Sequence, residues 1–307
     1  MLFRSIGKDG NFRVGFFSDS SGNADIWVAS SADGTNWAAP IDTTGPPEQD
    51  YYPSAILGSD GLVHMTWFRA GSGPSFVGSI WYRNGTSDSS WATPKVLTGS
   101  SELNWTPTIA EANGKLWIAW AADKTPNDRD CFLVSSPDGG ATWSDPPLRI
   151  TDATANDDFP FIFARADESL LMVWARSPFG EPPLGAASSE IVYATSANGV
   201  TWSPRQTITD DGTLPCAFRS GDASGVSIAW TSGREDPFGE IYVIGLSEAP
   251  SPSAPKRLTT SPGKDYSPRL IATKAPEIYL MAWVSNRNGP VDGDDLDIFY
   301  QLVSTAQ

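Results

Sequence analysis

The sequence predicts an all-β fold, a six-bladed β-propeller with four-stranded antiparallel blades. Two observations carry this prediction. Three sequence markers recur along the chain at a spacing of 53 to 55 residues, as read from the prolines of the repeat. Turn-forming Gly (28) and Pro (25) are abundant and only 19% of the residues are charged, which suits many short strands better than long helices.

The three markers define the repeat. The first is a four-residue segment that ends in proline, at 50–53, 104–107, 157–160, 212–215 and 265–268. The second is the aromatic residue that closes the next apolar strand: Phe16, Trp67, Trp120, Trp174, Trp230 and Trp283. The third is the acidic or small polar residue before a further strand: Asp25, Ser79, Asp130, Glu190, Glu240 and Asp297. Because the markers share one period, the chain divides into six similar repeats.

Each repeat is predicted to contain four short strands, A to D. In the third repeat these lie near 108–111, at 116–120, at 131–135 and near 148–150. Strand B is apolar almost throughout, as expected where neighbouring blades cover both faces of a sheet. We expect one domain, 1–307, with blades near 1–45, 46–99, 100–152, 153–209, 210–260 and 261–307. The last repeat shows no strand D, which predicts a three-stranded final blade or a chain cut from a longer one.

The composition argues against several classes of function. The net charge of −15 disfavours nucleic-acid binding, because phosphates attract a surface rich in Lys and Arg. No apolar run approaches the roughly 20 residues that a membrane span needs. The single histidine, His64, lies in a strand pattern, where we expect it to be packed or hydrogen-bonded. Cys131 and Cys216 fall in different repeats, where we expect buried free thiols.

The expected location is outside the cell. Met1 runs directly into a strand-like sequence, which indicates that a leader has been removed. The acidic composition suits a secreted or cell-surface protein. We expect a monomer.

A turn motif lies between strands C and D in three repeats. Residues 136–143 read Ser-Pro-Asp-Gly-Gly-Ala-Thr-Trp, and 31–37 and 196–202 are shortened versions. Asp or Asn is expected to hydrogen-bond its own turn, Gly to adopt a positive φ, and Trp to pin the hairpin to the blade. The motif resembles the Asp-box (BNR) repeat of the sialidase-like β-propellers. In that superfamily the boxes are structural and lie opposite the active site, so the resemblance implies a fold and leaves the chemistry open.

The loops that enter strand A and those that join B to C are expected to form the ligand face. Arginines recur just after strand B: Arg69, Arg176, Arg234 and Arg287. One interpretation pairs them with the acids before strand C as structural corners within each blade. The other directs some of them at an anionic ligand.

Residues that break the repeat are the better functional candidates. The B–C loop of repeat three carries Asp123 and Arg129. Asp157 and Asp158 lie at the start of repeat four, where the chain enters strand A. Aromatic residues share the next position at the start of strand A: Tyr51, Trp105, Phe159 and Tyr266. Such rings either stack on the faces of a sugar or pack against the neighbouring blade.

Calcium is the only cofactor that the sequence suggests. Asp292, Asp294 and Asp295 are closely spaced with a glycine, and carboxylates in such a loop can supply hard oxygen ligands. The spacing does not match an EF-hand loop, and a solvated acidic loop is the alternative.

The resemblance implies a defined catalytic set to look for. Sialidases of this superfamily use three arginines for the substrate carboxylate, a Tyr–Glu nucleophile pair and an Asp acid/base. The first arginine belongs to a Phe/Tyr-Arg-Ile-Pro motif, and the segment Phe3-Arg4-Ser5-Ile6 lacks its proline, so we do not transfer that role to Arg4. Arg219 and Arg269 lie in strand A of later repeats, and Tyr266 is the best-placed late tyrosine, yet none sits in an identifying motif.

Three functions follow from these residues. The first is a propeller that recognises extracellular glycans or small carbohydrates without a complete sialidase set. The second is a glycoside hydrolase, sialidase-like or another exo-glycosidase, with Asp157, Asp158 and Tyr266 as catalytic candidates. The third is a structural or adhesion module of a larger surface protein. Candidate acids that are all paired with arginines of their own blades would argue against the enzyme.

Overall fold

The computed structural model describes residues 3–6, 11–19, 22–45, 47–71, 77–86, 90–99, 103–125, 128–152, 155–178, 189–219, 225–234, 239–246, 254–260, 263–273, 278–287 and 297–304. The fold is a six-bladed β-propeller with four-stranded antiparallel blades and a three-stranded last blade, so the predicted fold class is confirmed. The chain divides into two compact units, Met1–Ile162 and Phe163–Gln307.

Each sheet falls within one predicted repeat. Sheet 1 contains β1 (Phe3–Ile6), β2 (Phe12–Ser18), β3 (Asp25–Ser31) and β4 (Ile41–Asp42). Sheet 2 contains β5 (Gln49–Leu57), β6 (Val63–Ala70), β7 (Gly78–Gly85) and β8 (Lys95–Val96). Sheet 3 contains β9 (Leu103–Ala112), β10 (Lys115–Thr125), β11 (Asp128–Ser136) and β12 (Leu148–Arg149). Sheet 4 contains β13 (Asn156–Ala164), β14 (Leu170–Ser177), β15 (Glu190–Ser196) and β16 (Gln206–Thr209). Sheet 5 contains β17 (Thr213–Arg219), β18 (Val226–Ser232), β19 (Glu240–Leu246) and β20 (Lys256–Arg257). Sheet 6 contains β21 (Asp265–Ala272), β22 (Ile278–Ser285) and β23 (Asp297–Ser304).

Strands that are consecutive in sequence are neighbours in every sheet, in the order A to D. Strands A, B and C of the third repeat are longer than predicted, and the ladder between β10 and β11 continues beyond the apolar segment to the pair Thr125 and Asp128. Within each unit, strand A of one sheet contacts strand A of the next, as β5 with β9 and β17 with β21. The closing aromatic residues of strand B are buried in five sheets: Trp67, Trp120, Trp174, Trp230 and Trp283.

Strand A begins with a strained backbone conformation in five sheets, and a β-bulge is recorded there in four of them. The residue before the repeat proline has a positive φ of 47° to 57° in each copy: Tyr52, Thr106, Phe159, Leu214 and Ser267. None of these residues is glycine, so each conformation carries a local steric cost. The pairing register with strand B shifts at the same place, for example between Tyr51 and Ser54. Because a bulge redirects side chains, this device decides which residues of strand A face the same side.

The three turns between strands C and D have the predicted local bonding. In the turn at 136–143, Asp138 accepts hydrogen bonds from the backbone N–H of Thr142 (2.8 Å) and from its hydroxyl (2.6 Å). Gly139 and Gly140 have φ values of 67° and 89°. Asp33 and Asn198 accept the corresponding backbone bonds in the other two turns, from Asn36 (2.8 Å) and Thr201 (2.9 Å).

The turn at 136–143 docks on the preceding sheet as well as on its own. The ring of Trp143 meets that of Tyr82 edge-on at 4.9 Å. Tyr82 Oη donates to the carbonyl of Gly139 at 3.0 Å, and Lys95 Nζ donates to the carbonyl of Gly140 at 2.7 Å. The tryptophan therefore fixes the hairpin to the neighbouring blade, which the local motif alone does not indicate.

The predictions for histidine and cysteine are confirmed. His64 is 1% exposed, with Nδ1 2.7 Å from Tyr82 Oη and Nε2 3.1 Å from Asp60 Oδ1. Cys131 and Cys216 are buried free thiols. Burial raises the pKa of both thiols.

Candidate functional site

Two of the recurring arginines after strand B, Arg69 and Arg287, are held at structural corners. In sheet 2, Asp50 accepts hydrogen bonds from Trp67 Nε1 (2.8 Å), Arg69 Nε (2.7 Å) and Arg69 Nη2 (2.8 Å). Asp50 is fully buried, and the side chain of Arg69 is only 15% exposed. In sheet 6, Asp265 binds Trp283 and Arg287 in the same way. Arg69 and Arg287 therefore stabilise the start of strand A in their own sheets.

The acids before strand C have different partners from those we expected. Asp130 binds Arg149 and the hydroxyl of Thr151, both in or next to strand D. Glu240 binds Arg257 and Thr259 in the same manner. The predicted pairing of these acids with the arginines after strand B is therefore wrong at these positions, because the side chains of strand D lie closer. Pairing within each sheet is right, but it follows another pattern.

Arg129 is the exception, because it binds one carboxylate of its own sheet and one at the start of β13, both within the first unit. Its Nε donates to Asp123 Oδ1 at 2.6 Å within sheet 3, and its Nη1 binds Asp158 of strand β13. The side chains of Arg129, Asp123 and Asp158 are 17%, 9% and 4% exposed. Burial by itself lowers the pKa of Arg129, but the charges and hydrogen bonds of the two carboxylates outweigh it and raise that pKa.

An aromatic cluster adjoins this ion-pair group. The Arg129 guanidinium lies 5.7 Å from the centre of the Trp105 ring, and Trp105 stacks on Phe68 with centroids 5.3 Å apart. Tyr51 and Tyr52 both contact Phe68, at 6.3 and 6.4 Å. Consecutive residues of a regular strand face opposite sides, so the bulge at Tyr52 is what brings both tyrosines to one side.

We call this group the aromatic–arginine site. It comprises Tyr51, Tyr52, Trp105, Asp123, Arg129 and Asp158. The three aromatic residues are partly buried and pack against the hydrophobic core of this region. Burial, followed by the charge of Asp158, raises the pKa of Tyr52, which keeps its hydroxyl protonated as a hydrogen-bond donor. The site offers ring faces, guanidinium N–H donors and carboxylate acceptors side by side.

Other predicted site residues lie elsewhere. Asp157 is fully buried, and its carbonyl lies 3.7 Å from the thiol sulfur of Cys131. Arg176 is buried at the end of β14, opposite Glu190 in the strand register. Arg234 is half-exposed and binds Asp210 at 2.8 Å. Tyr266 is half-buried next to the bulge of β21.

Arg219 lies at the wrong end of its sheet for the expected face. It ends β17 and pairs with Val226, at the hairpin between strands A and B. The B–C corner of the same sheet is marked by the pair Ser232 and Glu240. The repeat correctly predicts that Arg219 lies in strand A. Because Arg219 is the last residue of that strand, it lies at the opposite end of the sheet from the B–C corner.

The calcium candidates Asp292, Asp294 and Asp295 lie outside the described residues. Within the described ranges, no group of three or more His, Cys, Asp or Glu residues could hold a metal ion. No described helix is long and apolar enough to cross a membrane.

Sequence reasoning missed Tyr52, and it named Arg269 in strand A without predicting that this arginine is buried. Tyr52 was not singled out because proline follows it, and the usual preference before proline is an extended conformation, not the observed φ of 54°. Arg269 is 7% exposed inside sheet 6, where burial lowers its pKa and the neighbouring Cys216 opposes that effect. Nothing in its local sequence distinguishes a buried arginine from an exposed one.

Comparisons with known proteins agree on the fold. No family model matches the chain, and no curated protein matches its sequence. A protein of unknown function from Dyadobacter fermentans superposes with a TM-score of 0.77 at 14% identity, covering 99% of this chain and 93% of the other. An α-L-arabinanase from Penicillium chrysogenum, complexed with arabinobiose, gives 0.72 at 14% identity, covering 99% and 92%. A leech intramolecular trans-sialidase gives 0.65 at 10% identity, covering 98% and 67%.

Proposed function

We propose that this protein is a carbohydrate-binding propeller and that the aromatic–arginine site is where the sugar binds. The observation that carries the proposal is the combination of partly buried aromatic residues with a charged hydrogen-bonding group next to them. Sugars present apolar C–H faces that stack on aromatic rings, and hydroxyls that need directional donors and acceptors. Trp105 and Tyr51 would supply the stacking surface, and Arg129 the donors.

The two carboxylates of this site argue for binding over hydrolysis. A glycoside hydrolase needs two carboxyl groups that are available as acid and as nucleophile or base. Asp123 and Asp158 are both engaged by the same guanidinium. Arg129 is thereby held in place for a ligand, and the carboxylates serve to orient it.

A hydrolase is the alternative, and the names of the superposed structures favour testing it. They are called an arabinanase and a trans-sialidase, and one is complexed with arabinobiose. Asp157 and Asp158, adjacent and buried at the start of β13, are the acids on which such an activity would depend. Extracellular location remains part of the proposal, because glycans are most abundant there.

The binding test uses isothermal titration calorimetry of the full chain with arabinobiose and 3'-sialyllactose, after a glycan array has shown which sugar class binds. Trp105→Ala and Tyr51→Ala should each weaken binding about tenfold, which corresponds to about 1.4 kcal/mol. Tyr193→Ala is the matched control, since Tyr193 lies in sheet 4 and its hydroxyl binds only Gln206, at 2.7 Å, among the bonds described. The proposed site would be contradicted if all three variants weakened binding equally, or if none of them weakened it.

The hydrolase alternative has its own measurement. Aryl-glycosides, including a sialic acid substrate, are incubated with the chain in the presence and absence of calcium. Turnover that disappears in Asp157→Ala or Asp158→Ala would replace binding by catalysis as the function of the protein. Turnover lost in Arg219→Ala would additionally require a site at the other end of sheet 5. Absence of turnover on a folded sample supports the binding function.

A further inference from the structure

In two of the sheets, a guanidinium group covers a pair of aromatic rings. In sheet 2, Trp67 of strand B is paired with Trp81 of strand C, and their ring centroids are 6.4 Å apart. Arg69 Cζ lies 4.6 Å from the centre of the Trp81 ring and 5.8 Å from that of the Trp67 ring. The same guanidinium donates to the buried carboxylate of Asp50 from Nε (2.7 Å) and Nη2 (2.8 Å). The flat cation is therefore held by ring faces and by a carboxylate at its edge.

Sheet 6 builds the same arrangement with an arginine from another backbone position. Trp283 of strand B is paired with Phe299 of strand C. Arg287 Cζ lies 5.1 Å and 4.8 Å from the centres of these two rings, and Nη2 binds the fully buried Asp265. Arg287 lies beyond the end of β22, whereas the arginine of sheet 2 lies within strand B. Because two backbone positions bring a guanidinium to the same place, that place itself suits a guanidinium.

Sheet 3 has the aromatic pair, but an alanine stands where sheet 2 has its arginine. Trp120 of strand B is paired with Phe132 of strand C, and their ring centroids are 6.0 Å apart. Ala122 occupies the position that Arg69 occupies in sheet 2. Asn104 stands where sheet 2 has its buried carboxylate, and its amide oxygen accepts a hydrogen bond from Trp120 Nε1 at 3.0 Å. An alanine side chain cannot reach over the rings, so the repeat leaves this place without its own cation.

A cavity of about 280 Å³ lies at this place. Trp120, Ala122 and Phe132 line it, together with residues 97–99, which follow strand D of sheet 2, and 145–147, which precede strand D of sheet 3. None of the described residues that line the cavity is basic, and one of them, Asp145, is an exposed acid. A cavity of roughly 150 Å³ already admits a molecule the size of benzene. The cavity of sheet 3 therefore has room for a flat cation on a short alkyl chain.

We propose that this cavity binds a guanidinium group carried on a short alkyl chain. Trp120 and Phe132 supply the aromatic surface, as the corresponding rings do in sheets 2 and 6. Asp145, at the exposed edge of the cavity, supplies the negative charge. Cation–π attraction is stronger where water is excluded, and the net charge of −15 favours the approach of a cation. None of the described lining residues belongs to the aromatic–arginine site, so the inference does not depend on carbohydrate binding.

The test is an NMR titration of the ¹⁵N-labelled full chain with ethylguanidinium at constant ionic strength. The indole N–H signal of Trp120, identified by its absence in Trp120→Phe, should shift saturably. Ethylurea, which is flat but uncharged, should bind about tenfold more weakly or worse. Asp145→Asn should weaken the binding of ethylguanidinium about fivefold, as expected for one partly screened charge. Asp210→Asn removes an acid that is 85% exposed in the second unit, so it is the control and should leave binding unchanged.

Two further substitutions test the comparison between the sheets. Ala122→Arg supplies the missing guanidinium from the chain itself and should abolish the shift of Trp120. Arg69→Ala opens the same place in sheet 2 and leaves the carboxylate of Asp50 buried without this cation. Ethylguanidinium should therefore raise the melting temperature of Arg69→Ala more than that of the natural chain, and ethylurea should not. This second measurement does not require Ala122→Arg to fold.

The tripeptide Gly-Arg-Gly distinguishes the sources of the guanidinium group. Tighter binding than that of ethylguanidinium assigns the cavity to an arginine of a polypeptide, and equal or weaker binding assigns it to a small free compound; both results support the proposal. The proposal is overturned if ethylguanidinium binds no better than ethylurea, or if a folded Ala122→Arg chain still shows the shift. It is also overturned if Asp145→Asn and Asp210→Asn weaken binding equally, which would mean general charge attraction, or if Arg69→Ala is stabilised no more than the natural chain.

Discussion

Replacing Asp50 by alanine is the sharpest test of the structural corners. Asp50 is fully buried and accepts three hydrogen bonds, one from Trp67 and two from Arg69. Arg69 cannot easily turn to water, because its guanidinium also lies over the ring of Trp81, 4.6 Å from its centre. Removing one partner of a buried ion pair lowers the free energy of unfolding by about 3–5 kcal/mol. Because the side chain of Arg69 is 15% exposed, we expect a loss near the lower value, about 3 kcal/mol.

The assay is urea denaturation followed by tryptophan fluorescence, with the midpoint compared at an unchanged m-value. Asp50→Asn should lose less than Asp50→Ala, because the amide oxygen still accepts one hydrogen bond. Asp210→Ala is the matched control: its ion pair with Arg234 is exposed on both sides, at 85% and 52%, and such pairs contribute about 0–1 kcal/mol. A loss below about 1 kcal/mol for Asp50→Ala, or equal losses for both alanine variants, would refute the reasoning.

Two further predictions concern the turn at 136–143. Gly140→Ala should lower the melting temperature more than Gly114→Ala: both glycines have positive φ, but only at Gly140 would the new Cβ meet Tyr82 Oη, at 2.1 Å, whereas nothing lies within 4 Å of Gly114. Equal losses would mean that backbone strain alone decides the effect. Hydrogen bonds from the side chain and then the backbone of Thr142 lower the pKa of Asp138 to about 2, so the stability it contributes is fully present above about pH 4 and is lost as the pH falls toward 2. The difference in melting temperature between the natural chain and Asp138→Ala should therefore shrink between these pH values, and a difference that stays constant would contradict the assignment.

The repeat and the strands were predictable because they depend on local patterns. Proline, the closing tryptophan and the acid before strand C each have a position that turn chemistry and sheet burial impose. The pairing of the strands then follows from the period of the repeat and from the pattern of apolar and polar residues. That sheet 6 has three strands among the described residues was predictable for the same reason, since no segment after β22 repeats the strand D pattern.

The partners of the charged residues were not predictable in the same way. In the sequence, Asp130 is next to Cys131 and ten residues after Trp120. The arginine that binds Asp130 is nevertheless Arg149, which lies in strand D. Arg129 reaches Asp158, 29 residues away, because the start of the next strand A lies beside its own B–C hairpin. Repeat position identifies the sheet that holds a side chain, but the rotamer and the packing of neighbouring sheets decide which partner it contacts.

The aromatic–arginine site could be predicted in part. Asp123, Arg129, Asp158 and Trp105 were candidates because they break the repeat or stand at its mouth. Tyr52 was missed because its contribution depends on a left-handed backbone conformation that no local rule assigns to a tyrosine before proline.

The docking of the turn at 136–143 on sheet 2 has a consequence for local unfolding of the first unit. Its carbonyls receive hydrogen bonds from Tyr82 and Lys95 of sheet 2, while its own amides bind within sheet 3. Opening either sheet would therefore leave donors or acceptors of the other without partners, and the loss of one weakens the next. Sheets 2 and 3 should behave as a single cooperative unit in native-state fluctuations, with local fraying confined to loop tips. In a chain of repeats this coupling keeps partly opened forms rare, and those forms are the ones that proteases cut and that aggregate.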